Sequence, residues 1–186
     1  MASTKERLRN LIFLVVIGLF LIPQTRLPIQ VFLHKGLALL TPSIEDASEQ
    51  KQLTDYKWAL KSDTDAILDF RNLKGKVVLI NFWATWCPPC IAEMSSMQAL
   101  YEDYKDKVEF VFVSNEDKAV VTEFLQKKGY TLPVYTPLNY YPEGLEIDEI
   151  PRTFLIDVKG NIVIDKTGAA NWNSDTVRET INKLLE

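Results

Sequence analysis

Cys87 and Cys90 are the only thiols in the chain of 186 residues, and they lie three apart in Trp86-Cys87-Pro88-Pro89-Cys90. A lone pair at this spacing suits thiol–disulfide exchange. One thiolate attacks a partner disulfide, and the second resolves the mixed disulfide that forms. Other uses of cysteine lack residues here. A structural zinc site takes four Cys or His ligands, and the chain adds one distant histidine, His34. A disulfide scaffold staples a small core with several bridges. With no third cysteine, a reactive thiol has no wrong partner within the chain.

The motif sits where an apolar strand pattern gives way to a helical one. With Cys87 at the N-cap, Pro88 falls at N1, where proline is favoured. Pro89 at N2 has no N–H, so the amide of Cys90 at N3 is the donor left for the Cys87 sulfur. The positive end of the helix dipole points at the same atom. Both effects favour thiolate, the nucleophilic form. Spacing leaves the direction open, because reference sites of this kind span about −270 to −120 mV. The rival to a redox site at this motif is an inert buried cysteine pair.

Val77 to Trp83 is nearly all apolar and reads as a buried central strand. From Pro88 to Tyr104, Ile91, Met94, Met97, Leu100 and Tyr101 recur at helical spacing. Val108 to Ser114 reads as a strand, and Ala119 to Lys128 as a helix closed by Gly129. Thr153–Asp157 and Asn161–Asp165 form a hairpin around Lys159-Gly160. Ser174 caps a last helix running through Leu185. Two further strands are expected earlier, at Tyr56–Leu60 and Ile67–Phe70. The result is α/β alternation ending in an antiparallel pair. Residues 136–149, with Tyr140 and Tyr141, are expected to form a surface helix, or else a loop that shapes partner choice.

The N-terminus reads as targeting. Lys5, Arg7 and Arg9 precede an apolar run from Leu11 to Ile22, ended by Pro23 and Arg26. The run is short beside the ~20 residues of a spanning helix. It fits a signal peptide, but no small-x-small cleavage site follows, so an uncleaved anchor is expected. The basic flank puts the N-terminus in the cytoplasm. The expected divisions are a tail at 1–10, a membrane helix at 11–25, a stalk and linker at 26–52, and a soluble domain at 53–186. Within the stalk, 27–40 is apolar around His34 and Lys35. It suits either an amphipathic segment on a membrane surface or a stalk packed on itself or on the domain. Residues 41–52 are polar and acidic, as in a linker. A net charge of −4 with scattered basic residues gives no nucleic-acid footprint.

The run Lys74-Gly75-Lys76-Val77-Val78-Leu79-Ile80-Asn81-Phe82-Trp83-Ala84-Thr85-Trp86-Cys87-Pro88-Pro89-Cys90 resembles the thioredoxin superfamily. With Glu93 and the later Ile150-Pro151-Arg152-Thr153-Phe154-Leu155-Ile156-Asp157, it is most similar to the TlpA/ResA-like branch of membrane-anchored bacterial proteins. The resemblance covers residues 53–186. It implies a thioredoxin-like α/β fold, in which a central mixed sheet of four or five strands is flanked by helices and carries an N-terminal β addition. It implies a single-pass protein of the bacterial inner membrane, with the domain on the periplasmic side. It further implies reduction of protein disulfides, for example in apocytochrome c during cytochrome c maturation, with electrons from a membrane thiol transporter. A monomer is the family default, and neither cofactor nor metal is implied. Pro151 matches the family's cis-proline, which helps bind substrate. Glu93 matches a carboxylate that assists proton movement and substrate recognition; the plainer reading is a first-turn glutamate favoured by the dipole.

Two positions depart from the pattern. Asn81 stands where thioredoxin has a buried aspartate, and an amide cannot take a proton from Cys90, so a general base would be Glu93 or water. Ser95 stands where the family often has a kinking proline, so a straighter helix is expected. Of the two tryptophans, Trp86 is expected to shield the sulfur and Trp83 to join the core. The rival functions are an oxidase or isomerase of the same fold, a Cu(I)-binding module using the two sulfurs, and a purely structural envelope protein.

Overall fold

The computed structural model describes residues 4–186. Two helices open the chain, α1 at Thr4–Leu21 and α2 at Pro23–Leu37. A hairpin follows, β1 at Ala59–Ser62 and β2 at Ile67–Asp69, then a 3-10 turn at Phe70–Leu73. The chain continues with β3 at Val78–Phe82, α3 at Pro88–Tyr104, β4 at Glu109–Val113, α4 at Lys118–Lys128 and β5 at Val134–Pro137. It ends with β6 at Arg152–Ile156, β7 at Ile162–Thr167 and α5 at Asp175–Leu184.

The strands form one sheet in the order β2-β1-β5-β4-β3-β6-β7. Strands β3, β4 and β5 are parallel, while β6 runs antiparallel to β3 and β7 antiparallel to β6. The hairpin joins the other edge through β1 and β5, also antiparallel. The expected hairpin addition therefore extends a five-stranded mixed sheet to seven strands. Side chains alternate across the sheet. Leu79, Phe110 and Phe112 pack with Met94 and Met97 of α3, Val121 of α4 and Ile181 of α5. Their neighbours Val78, Ile80, Val111 and Val113 face the other way, onto Leu53, Trp58, Phe70 and Leu145. Helices cover one face of the sheet, and irregular chain covers much of the other.

The helix ends follow sequence chemistry. Ser174 accepts a hydrogen bond from the Val177 N–H and starts α5. Gly129 closes α4 with φ of 70°, a left-handed conformation suited to glycine. Gly160 turns β6 into β7 with φ of 88°. A Cβ there would lie 2.9 Å from the Leu53 carbonyl oxygen, so this close approach also requires glycine.

Four expectations change. β5 was not foreseen: it is a short strand between prolines, Pro133 and Pro137, and it lacks an alternating pattern of its own. Residues 138–149 are turns and bends rather than a surface helix, because Pro142 and Gly144 interrupt any helical run. Residues 41–52 are tied down rather than free. The Glu45 N–H donates to the Val163 carbonyl at 2.9 Å, and the Ile162 N–H to that of Lys51 at 2.8 Å. The first strand also begins later than expected, at Ala59.

α2 lies against α3, as a stalk packed on the domain would. The face of α3 there is made of small residues, Ala92, Ser95, Ser96 and Ala99, which line a cleft with Lys35, Ala38 and Leu39. α3 runs unbroken through Ser95. α1 has no buried residue. Among the described residues no single helix is long and apolar enough to cross a membrane; α1 with Thr25–Leu37 passes only as a pair bent by 96°.

Candidate active site

β3 delivers the chain to the site. The Trp83 N–H bonds the Val113 carbonyl at 3.1 Å, which prolongs the parallel pairing of β3 and β4 by one residue. The chain then turns, and the Cys87 N–H meets the Ala84 carbonyl at 3.3 Å. Glu116 grips this turn from just past the end of β4. Its carboxylate accepts from the Thr85 N–H and from the Thr85 hydroxyl, both at 2.6 Å. Ser114 supports it with a longer bond of 3.4 Å.

Cys87 is the N-cap of α3, in extended conformation. Its Sγ accepts the Cys90 N–H at 3.2 Å, the arrangement that the two prolines leave available. Cys87 and Cys90 are joined in a disulfide. Cys87 and Cys90 are 2% and 1% exposed. Burial does not separate them; position in the helix does. Only Cys87 faces the orphan N–H groups and the positive dipole end.

Glu93 lies one turn beyond Cys90 and points inward. It is 1% exposed, unlike a solvated first-turn glutamate. Three donors hold its carboxylate. Asn81 Nδ2 reaches Oε1 at 3.0 Å, while Oε2 takes the Ala170 N–H at 3.1 Å and Trp172 Nε1 at 2.9 Å. Asn81 also donates to the Thr153 hydroxyl at 2.8 Å. Burial pushes the Glu93 carboxyl up to about 7, and the donors from Trp172, Ala170 and Asn81 oppose that shift. The group therefore changes charge near neutral pH, one helical turn from a reacting sulfur.

Ile150 and Pro151 close the site from the β6 side. The peptide bond between them is cis. The Ile150 carbonyl oxygen lies 3.7 Å from Cys87 Sγ, and the Pro151 carbonyl accepts the Gly168 N–H at 2.9 Å. Trp86 is 64% exposed. It lines a cleft of about 370 Å³ with Tyr141, Ile147 and Ile150. Trp83 is core, packed 5.6 Å from the Phe124 ring. His34 is far along the chain from the motif, on α2. Among the described residues, no three His, Cys, Asp or Glu side chains gather as a metal site.

Comparison with known proteins places this geometry. The family model for redoxin matches residues 48–184. The chain belongs to the redoxin family. It is 39% identical to the thiol-disulfide oxidoreductase ResA of Oceanobacillus iheyensis, over 64% of this chain and 62% of that protein. It is also 39% identical to the ResA of Geobacillus kaustophilus, over 68% of this chain and 70% of that one. The chain thus spans about 60% of the length of the first ResA relatives it matches. A thioredoxin-family thiol:disulfide interchange protein of Chlorobium tepidum superposes with a TM-score of 0.58 at 26% identity, covering 76% of this chain and 99% of the other. The redoxin assignment and this structure agree with the thioredoxin-like fold expected from the motif.

Sequence reasoning did not find Trp172, Ala170 or Thr153 as partners of the redoxin site. They are 60 or more residues from Asn81 and Glu93, and no local pattern signals the pairing. Glu116 was also missed, although a signal existed. Phe82 pairs with Val113 in parallel strands, so the residues just after β3 and β4 must emerge side by side.

Proposed function

We propose that this chain is a thiol–disulfide oxidoreductase that reduces protein disulfides on the outer side of the bacterial cytoplasmic membrane. The observation that carries it is the Cys90 N–H aimed at Cys87 Sγ on the helix N-terminus, with a buried carboxyl titrating near 7 one turn below. In the reduced protein, the Cys87 thiolate attacks a partner disulfide and expels one partner thiolate. Cys90 then gives its proton to the ionised Glu93 and attacks Cys87 Sγ. The second partner thiolate leaves, the partner is reduced, and Cys87–Cys90 is oxidised. Ile150 and Pro151 border the sulfur where an extended partner chain would lie.

The ResA names of the relatives support this activity. The resemblance of residues 74–90 suggests apocytochrome c as one substrate and a membrane thiol transporter as electron source. The basic start and apolar run of the N-terminus support an uncleaved anchor, with residues 53–186 outside. A second reading, an oxidase on the same fold, uses the same geometry in reverse. The reduction potential of the full chain, equilibrated in glutathione and dithiothreitol buffers, separates them. A value near about −270 mV supports a reductase, and one near about −120 mV marks an oxidant.

A further inference from the structure

α2 is built inside out for a helix docked on a protein in water. Its stripe toward the domain, Leu27, Gln30, Val31, His34 and Ala38, is half-buried throughout, and it holds the polar Gln30 and His34. The side turned away from the domain carries Leu33, Gly36 and Leu37, all exposed, with Leu39 and Leu40 exposed just past the helix end; Ile29 on that side is half-buried, and the exposed Phe32 borders the groove next to the domain. Phe32 is 75% exposed, Leu33 61% and Leu40 62%. A helix facing water normally turns its apolar stripe inward, and contiguous apolar surface of this kind marks an interaction site.

The chain itself indicates what covers this face. α2 continues from α1, whose apolar residues are also exposed, and the two axes meet at 96°. With α1 along a bilayer normal, α2 lies in the bilayer plane. Cations occur where headgroups would be. Arg26 is exposed on α2, and Lys35, Lys127 and Lys128 line the groove between α2 and the domain. We propose that α2 is an interfacial helix, with its outer face in an anionic bilayer surface and its inner face carrying the redox domain. This rests on the reading of α1 as the membrane segment.

The arrangement also sets where the chemistry happens. The groove under α2 is lined by Thr85 and Ile91, which flank the Cys87–Cys90 pair in the chain. A helix seated in the headgroups therefore holds the redox site beside the bilayer, facing partners that are themselves in or on it. A domain swinging on a flexible tether would have no such preference.

The test uses the full chain in vesicles of phosphatidylglycerol and phosphatidylethanolamine, with photoreactive p-benzoylphenylalanine replacing Leu33, Val31 or Phe13 in turn. Lipid adducts at positions 33 and 13, with adducts inside the chain at 31, are the expected result. Lipid at 13 but a second copy, or no adduct, at 33 overturns the interfacial helix and leaves the anchor standing. No lipid at either position overturns both. Within the 33-labelled chain, Phe32→Glu with Leu37→Glu is expected to abolish the lipid adduct while thiol exchange persists; an unchanged adduct would contradict an apolar seat.

Discussion

Two glutamates flank the Cys87–Cys90 pair, and they do opposite work. Glu116 sits just past the end of β4 and spends both carboxylate oxygens on one residue, Thr85. Glu93 is buried, and its three donors come from β3 and from the chain between β7 and α5. Both are fully hydrogen-bonded. The environment of Glu93 is dry enough for burial to outweigh its donors and move its proton affinity to neutrality. The contrast shows that a carboxylate beside a reactive sulfur is not thereby a base. Glu116 shapes the turn that presents Cys87, and in the proposed mechanism Glu93 exchanges the proton.

The largest expected effect is on stability. The folded protein keeps the Glu93 proton up to about pH 7, whereas the unfolded chain loses it at ordinary carboxylate values. The contribution of Glu93 to stability is therefore fully present below the ordinary carboxylate range, falls as pH rises from there to about 7, by about 3 kcal/mol in all, and is level above. Chemical denaturation from pH 4 to 9 should show this fall, and Glu93→Gln should flatten it. Next is the rate. Glu93→Gln should slow resolution by Cys90 about a hundredfold at pH 8 and erase the pH step near 7, as read by stopped-flow mixing with a model disulfide. Trp172→Phe removes one donor to the ionised form and should move that step upward by about one unit. Glu116→Gln should do least: a stability loss of about 1 kcal/mol and an unmoved pH step. If Glu116→Gln shifts the step as far as Trp172→Phe does, the division of labour between the two carboxylates is wrong.

Much of the site was legible because its signals are local. The helix from Pro88 to Tyr104, the N-cap sulfur and the Ser174 cap all follow from residues within a turn of one another. The buried β3 and the β6–β7 hairpin announce themselves by apolar runs and a Lys-Gly turn. What stayed hidden depends on tertiary contact. Trp172 meets Glu93 across 79 positions, and β5 is a strand only because β4 and β1 pair with it. The linker reading of 41–52 failed for the same reason. Polar composition gives no hint that backbone groups of Glu45 and Lys51 will bond the chain of β7.

The order of the two sulfurs is the central claim, and trapping tests it most directly. Reduced Cys90→Ser and Cys87→Ser chains are each mixed with an oxidised protein substrate such as insulin, quenched with acid, and weighed by mass spectrometry. Cys90→Ser should accumulate a mixed disulfide on Cys87, and Cys87→Ser should remain largely unreacted. An adduct that forms faster on Cys90 in the Cys87→Ser chain would contradict the assignment of Cys87 as nucleophile.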